Sequence, residues 1–226
     1  VEKLSEADAK RETISSSNSD AQILSDFQLV RNDPWEFAVR HVNTKDEVDP
    51  ANPIKRFPAH QEYLKLYFKL WVREHFIAVP KSRRMFMTWS NLILYLWDTM
   101  FHIGRNNAIV SKKEDDSDDL IKRAVFILKN LEGLPPDLVP EWKYKYCELS
   151  FPQIESKIMG FPSGADQLRQ FTFSGILADE MAFWDNAQEM YSASFPTLEG
   201  GGRFTAISSP GPGFFKSLVF DQLDVR

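Results

Sequence analysis

A single cysteine, Cys147, in a chain of 226 residues excludes an internal disulfide and any cysteine-built zinc cluster, so its expected role is that of a small buried residue. Histidine is scarce too: His41, His60, His75 and His102 show no metal-ligand spacing. No apolar run reaches the length needed to cross a bilayer, and the polar opening VEKLSEADAKRETISSSNSD lacks the apolar core of a signal peptide. The expectation is a cytoplasmic protein with no membrane partner. No internal repeat is visible. A net charge of -5 supplies no global attraction for nucleic acid, so a DNA contact would have to come from a local basic patch.

What is present is the composition of a globular protein, 43% hydrophobic and 26% charged, long enough for one large α/β domain rather than two. Residues 1–32 are expected to be a polar N-terminal arm, mobile or peripherally helical at its start, and 33–226 the domain. Pro34 opens a short helix through Trp35, Phe37, Ala38 and Val39. A polar connection, NTKDEVDPANP, leads to a helix after His60 in which Tyr63, Leu64, Tyr67, Leu70 and Trp71 recur at helical spacing. HFIAV (75–79) reads as a buried strand, Met87 to Phe101 as an apolar helix, Ala108 to Val110 as a strand, and Asp115 to Leu131 as an amphipathic helix. Tyr144 to Leu149 and Ile154 to Met159 read as two paired strands, and Asp166 to Gln170 as a turn of helix. Ser174 to Ala178 is a strand, Asn186 to Ser194 a helix, Phe204 to Ser208 a strand, and a last helix starts at Phe214. Strands alternating with helices imply a mainly parallel sheet covered on both faces.

Two segments carry chemistry. In FSGILADEMAFW an apolar run ends in Asp179-Glu180; in a nucleotide-hydrolysing α/β domain the first acid at such a strand end holds Mg²⁺ and the second orients water. The same pair also suits two solvated acids leaving a core. The loop after HFIAV, Lys81-Ser82-Arg83-Arg84-Met85-Phe86-Met87-Thr88, falls between strand and helix, where a phosphate-binding loop belongs. Against G-x-x-x-x-G-K-[ST] only Thr88 matches, as the hydroxyl for Mg²⁺; Lys81 replaces the first Gly, Phe86 the second and Met87 the Lys. Lys81, Arg83 and Arg84 can supply the cation from the front of the loop, and the amides opening the helix near Met87 are anion donors. Phe86 at a glycine position carries a conformational penalty. A solvated basic turn is the other reading. Trp89, Trp97 and Phe101 fit the core better than a base-stacking platform, because their spacing is helical.

Together these residues resemble the ATPase domain of the viral large terminase subunit. Five features follow in that family's order: Gln61 in FPAHQEYL, the loop from Lys81 to Thr88, Arg169 in GADQLRQF, Asp179-Glu180, and TAISSP from Thr205 to Pro210. The resemblance covers Asp33 to the end, and a lysine at the loop's start is similar to the family's deviant loop. It implies a P-loop NTPase fold of the RecA-like, ASCE type, with ATP and Mg²⁺ as cofactors. Gln61 would read the adenine edge, Asp179 with Thr88 would bind the metal, and Glu180 would be the catalytic carboxylate. Arg169 would be a finger reaching a neighbouring subunit's nucleotide, with Arg83 as the competing finger in cis and a surface salt bridge as the plain alternative for Arg169. Ser208-Ser209 resemble the coupling motif, although Ser-Ser-Pro is also an ordinary turn.

The implied function is a motor that moves double-stranded DNA into a capsid. Its implied partners are the DNA, the portal protein, the small terminase subunit and further copies of itself in a ring, a pentamer by the family's habit, in the host cytoplasm at the capsid portal. With no later acidic cluster before Arg226, a DNA-cleaving nuclease domain is expected to be absent from this piece. Two other readings stand beside it: a cellular helicase-like DNA translocase, and a degenerate P-loop module that binds nucleotide for assembly without hydrolysing it.

Overall fold

Period-two alternation divides the apolar residues of the central strands between two cores, and this requires helices on both sides. The computed structural model describes residues 22–164 and 168–220. In chain order it contains α1 (22–32), α2 (Pro34–His41), β1 (Asn43–Lys45), β2 (Ile54–Arg56), α3 (Glu62–Arg73), β3 (Phe76–Pro80), α4 (Met87–Phe101), β4 (Asn106–Ser111) and α5 (Glu114–Lys129). There follow β5 (Lys143–Lys145), β6 (Glu148–Phe151), β7 (Ser156–Pro162), β8 (Gly175–Asp179), α6 (Ala187–Glu199), β9 (Arg203–Ser208) and α7 (Phe214–Phe220). Ile109, Leu177 and Ile207 pack with α2, α3, α4 and α5 on one face; Ala108, Val110, Ile176, Ala178 and Ala206 pack with α6 and α7 on the other. No helix among the described residues is long and apolar enough to span a membrane.

The sheet has seven strands in the order β3-β9-β8-β4-β7-β6-β5. The first five are mutually parallel, β6 pairs antiparallel to β7, and β5 pairs antiparallel to β6. In register, Pro80 faces Ser208 and Asp179 faces Ile207, so β3, β9 and β8 end level with one another. The carboxyl ends of adjacent parallel strands are where such sheets place ligands.

Local chemistry explains the helix boundaries. Asp33 caps α2 by accepting the Trp35 N–H at 2.8 Å, with Pro34 in the first turn. Helix α5 carries Glu114, Asp115 and Asp116 in its first turn and Lys129 in its last, matching its dipole. Helix α4 is buried on nearly every side, as a central helix between sheet and outer helices must be.

The structure changes three sequence readings. The polar connection is not a plain loop: Asn43–Lys45 and Ile54–Arg56 form a two-stranded antiparallel ribbon of their own. Tyr144 to Leu149 is not one strand, because the chain turns at Tyr146-Cys147 and β5 pairs with β6 as a hairpin; β7 then runs Ser156–Pro162 after a 3-10 turn over Pro152–Ile154. Cys147 sits in that turn at φ 55°, only partly buried, and its N–H is taken by Asp118 at 2.8 Å. The expected arm divides as well. Residues 1–21 lie outside the described residues, but 22–32 is helical, with Val30 fully buried and its carbonyl accepting the Trp97 indole at 2.8 Å. Of the expected turn Asp166 to Gln170, the first two residues also lie outside the described residues.

Gly175 opens β8 at a point of close approach. A Cβ there would lie 2.8 Å from Asn107 Oδ1 and 2.9 Å from both Arg203 Cγ and Tyr95 Cε1. Gly175→Ala is therefore expected to destabilise the fold by about 1–3 kcal/mol through overpacking. A urea midpoint equal to wild type would show that these neighbours yield freely.

Candidate active site

The loop between β3 and α4 is pinned at its start, where the Lys81 N–H donates to the Ser208 carbonyl at 2.8 Å. From there the Lys81 side chain, only 9% exposed, crosses to the Glu180 carboxylate and forms an ion pair with it. At the far end Phe86 takes the left-handed conformation of the glycine it replaces, φ 59° and ψ 8°. That conformation costs a non-glycine residue about 1–2 kcal/mol. Its ring packs edge-on against Phe57 at 5.9 Å, a contact glycine could not make. Phe86 is also the N-cap of α4, its carbonyl accepting from Ser90 N at 2.9 Å. The N–H groups of Met87, Thr88 and Trp89 consequently have no intrahelical acceptor and point toward any anion in the loop.

The two acids at the end of β8 have opposite environments. Asp179 is 8% exposed, accepts from Thr88 Oγ1 at 3.3 Å, and its carbonyl takes the Trp184 indole at 3.1 Å. Burial lifts its carboxyl to about 6; Lys81 opposes this and the Glu180 charge adds to it. Glu180, in the left-handed region at φ 53°, turns its side chain toward β9. Burial would raise Glu180 as well, but the bonds from Lys81 and the Ser209 N–H (2.9 Å) outweigh it and hold the carboxyl below the ordinary range. The hydroxyls of Ser208 and Ser209 each lie 3.3 Å from the same carboxylate, and Ser208 Oγ also accepts the Ala182 N–H at 3.1 Å.

A cavity of about 570 Å³ opens beside this cluster, bounded by Lys81, Ser82, Arg84, Met85, Phe86, Met87 and Thr88. Thr88, on the cavity lining, has the Asp179 carboxylate directly behind it, and a hydroxyl beside a carboxylate is a donor set that suits Mg²⁺, so the two fit the metal role. Gln61 is tied to the loop through Tyr63, whose hydroxyl lies 2.5 Å from Gln61 Oε1 and 3.1 Å from the Met85 carbonyl. Arg83 is exposed on the loop. Arg169 lines a second cavity of about 630 Å³ with Ala182, Trp184, Asp185 and Gly213. Trp97 and Phe101 are buried in the core, while Trp89 is only partly buried and reaches the first cavity.

Sequence reasoning missed two contributors to that cavity. The β1 and β2 ribbon supplies Thr44, Lys45, Lys55 and Arg56, and α5 supplies Arg123. The turn-rich DPANP before Ile54 was a signal for the ribbon. Nothing in the sequence marks Arg123, which meets the loop only because α5 packs against α4.

No protein-family model matches the sequence, and no curated protein matches it. Solved structures do. The large terminase ATPase domain of Thermus phage P74-26 aligns with a TM-score of 0.53 at 18% identity, over 63% of this chain and 63% of that one. The large terminase of bacteriophage HK97 aligns with a TM-score of 0.55 at 10% identity, over 80% of this chain and 38% of that one. The chain thus spans less than two thirds of either structure's length. The likeness is one of fold: the chain shares with these ATPase domains a mainly parallel sheet flanked by helices.

Two outcomes test the site's physics. Because burial lifts Asp179 from an ordinary 3.8 to about 6, the folded state binds this proton more tightly than the unfolded chain; the group favours folding below about pH 4, and that stability is lost as pH rises through about 6. In EDTA, Asp179→Asn should be more stable than wild type at pH 8 by up to about 3 kcal/mol, the gap closing by pH 4. A gap in urea unfolding that ignores pH would contradict the buried-charge account. At position 86, Phe86→Gly should be more stable than Phe86→Ala by about 1 kcal/mol, the reverse of the usual helix order. Equal midpoints would remove the left-handed backbone from the explanation.

Proposed function

We propose that this chain is the ATP-hydrolysing motor domain of a viral large terminase, which couples turnover to the movement of double-stranded DNA into a capsid. One observation carries the reading. On a fold shared with terminase ATPase domains, a loop lysine, the Thr88 and Asp179 pair, Glu180 and the Ser208-Ser209 strand end all converge at the level ends of three adjacent parallel strands.

The residues divide the work as follows. The free amides opening α4 and the Lys81 ammonium receive the phosphates, which compete with Glu180 for that lysine. Thr88 and Asp179 would hold Mg²⁺, which when bound neutralises charge on the phosphate oxygens. Glu180 stays ionised, since its pKa is held low, so it orients the attacking water more than it pulls a proton from it. Ser208 and Ser209 contact that carboxylate directly, so a change at Glu180 is passed to β9 in one step. Gln61, fixed by Tyr63 against the loop, is the adenine reader of this proposal. Arg169, which lines the second cavity, is in this proposal the finger offered to a neighbouring copy in the ring. Portal protein and small terminase subunit are the partners that follow from the same reading.

A steady-state ATPase series with binding measured alongside tests it. Glu180→Gln should keep ATP binding and lower turnover by at least about a hundredfold, whereas Lys81→Ala should weaken binding itself. Subunits carrying Arg169→Ala should be inactive alone and regain turnover when mixed with Glu180→Gln subunits, since each supplies what the other lacks. Wild-type protein that binds ATP and never turns it over, with DNA present, would replace this reading with that of a non-hydrolysing assembly module.

A further inference from the structure

Several cations on the nucleotide cavity have no part in the scheme above, Lys45, Lys55, Arg56, Arg84 and Arg123, and of these Arg123 alone comes from a helix packed on α4. Arg123 projects from the middle of α5 into the cavity that also holds Lys81, Thr88 and Trp89. Its guanidinium stands over the Trp89 ring, 5.7 Å from the centroid, and 3.7 Å from the carboxylate of Glu47 in the ribbon loop. Both attachments are loose. The ring distance is close to the limit of about 6 Å for a cation–π contact, and Glu47 is 66% exposed, so solvent screens the pair. Lys81 differs in being buried and committed to Glu180.

Arg123 shares the lining of this cavity with Lys81 and Thr88, the two residues that the proposed function places at the phosphates and the metal. A guanidinium presents a planar fork of donors matched to phosphate oxygens, and one based on a packed helix is placed with less loss of freedom than an arginine on an exposed loop such as Arg83. We propose that Arg123 is a phosphate-binding residue that leaves Trp89 and Glu47 to take the terminal phosphate of a bound nucleoside triphosphate. It reports occupancy of the γ-position to the ribbon, because the ion pair it gives up is the one that ties α5 to the loop between β1 and β2. This inference rests on the nucleotide-binding reading above and adds to it a residue from a different element.

The test is titration of the full chain with ATP and, separately, ADP, each with Mg²⁺, following Trp emission and heat. Arg123→Ala should weaken ATP binding by about tenfold or more and ADP binding by less than about threefold, with Arg123→Lys falling between. ATP should change the emission of wild type; that change should be missing from Trp89→Phe and reduced in Arg123→Ala. Unaltered ATP affinity in Arg123→Ala, or equal losses for ATP and ADP, would overturn the proposal while leaving nucleotide binding in place. Wild-type protein that binds neither nucleotide would remove the underlying reading together with this one.

Discussion

The Lys81 to Glu180 ion pair is the contact on which the rest of the site depends. An ammonium only 9% exposed has to be met by a counter-charge, because its desolvation is otherwise uncompensated. The carboxylate that meets it is held in turn by the Ser209 amide and two serine hydroxyls, and the Lys81 amide bonds Ser208 from the other side. The ends of β3, β9 and β8 are therefore clasped through one pair of charges. In the proposed function, phosphate arriving in the loop would compete with Glu180 for the lysine, and the carboxylate it freed would remain attached to β9. Binding and the response of β9 would then be two aspects of one exchange of partners.

The acids of β8 show how one backbone step separates two roles. Asp179 is turned into the protein, where burial favours its neutral form until a cation is present. Glu180, placed by a left-handed residue, is turned toward donors that favour its charged form. Adjacent carboxyls whose environments push their pKa values apart are suited to different tasks. The left-handed φ at Glu180 is what allows consecutive residues to point into such different surroundings.

Much of this was legible in the sequence where local signals agree with tertiary ones. Helix α4 matches its apolar run, and α2 begins at the Pro34 that marks it. The acidic strand end was visible because it closes a buried strand, and the basic loop because it follows an apolar one, although that strand, β3, lies at the sheet edge and is only partly buried rather than buried as its sequence suggests. Where local signals were weak, tertiary contacts decided. Tyr146-Cys147 is not a typical turn pair, and the chain reverses there because Asp118 of α5 accepts the Cys147 amide and the Tyr144 hydroxyl. The ribbon of β1 and β2 is too short and polar to read as strands. Arg123 belongs to a helix whose pattern speaks only of its buried face.

Phe86 shows how a loop with neither of its expected glycines can still take the left-handed turn that a glycine would make. Glycine is needed there for a backbone angle rather than for emptiness, and the angle is present. The side chain leaves the cavity's interior by packing on Phe57, itself stacked edge-on with Trp35 and Phe68. An aromatic cluster between α2, α3 and the loop thus offsets the backbone penalty that glycine would avoid. The consequence is a stiffer loop, because its left-handed turn is anchored by a side chain in the core. Such a loop has little freedom to rearrange, so in the proposed reading adjustment to phosphate would fall on the side chains at its two borders, Lys81 at the front and Arg123 across the cavity.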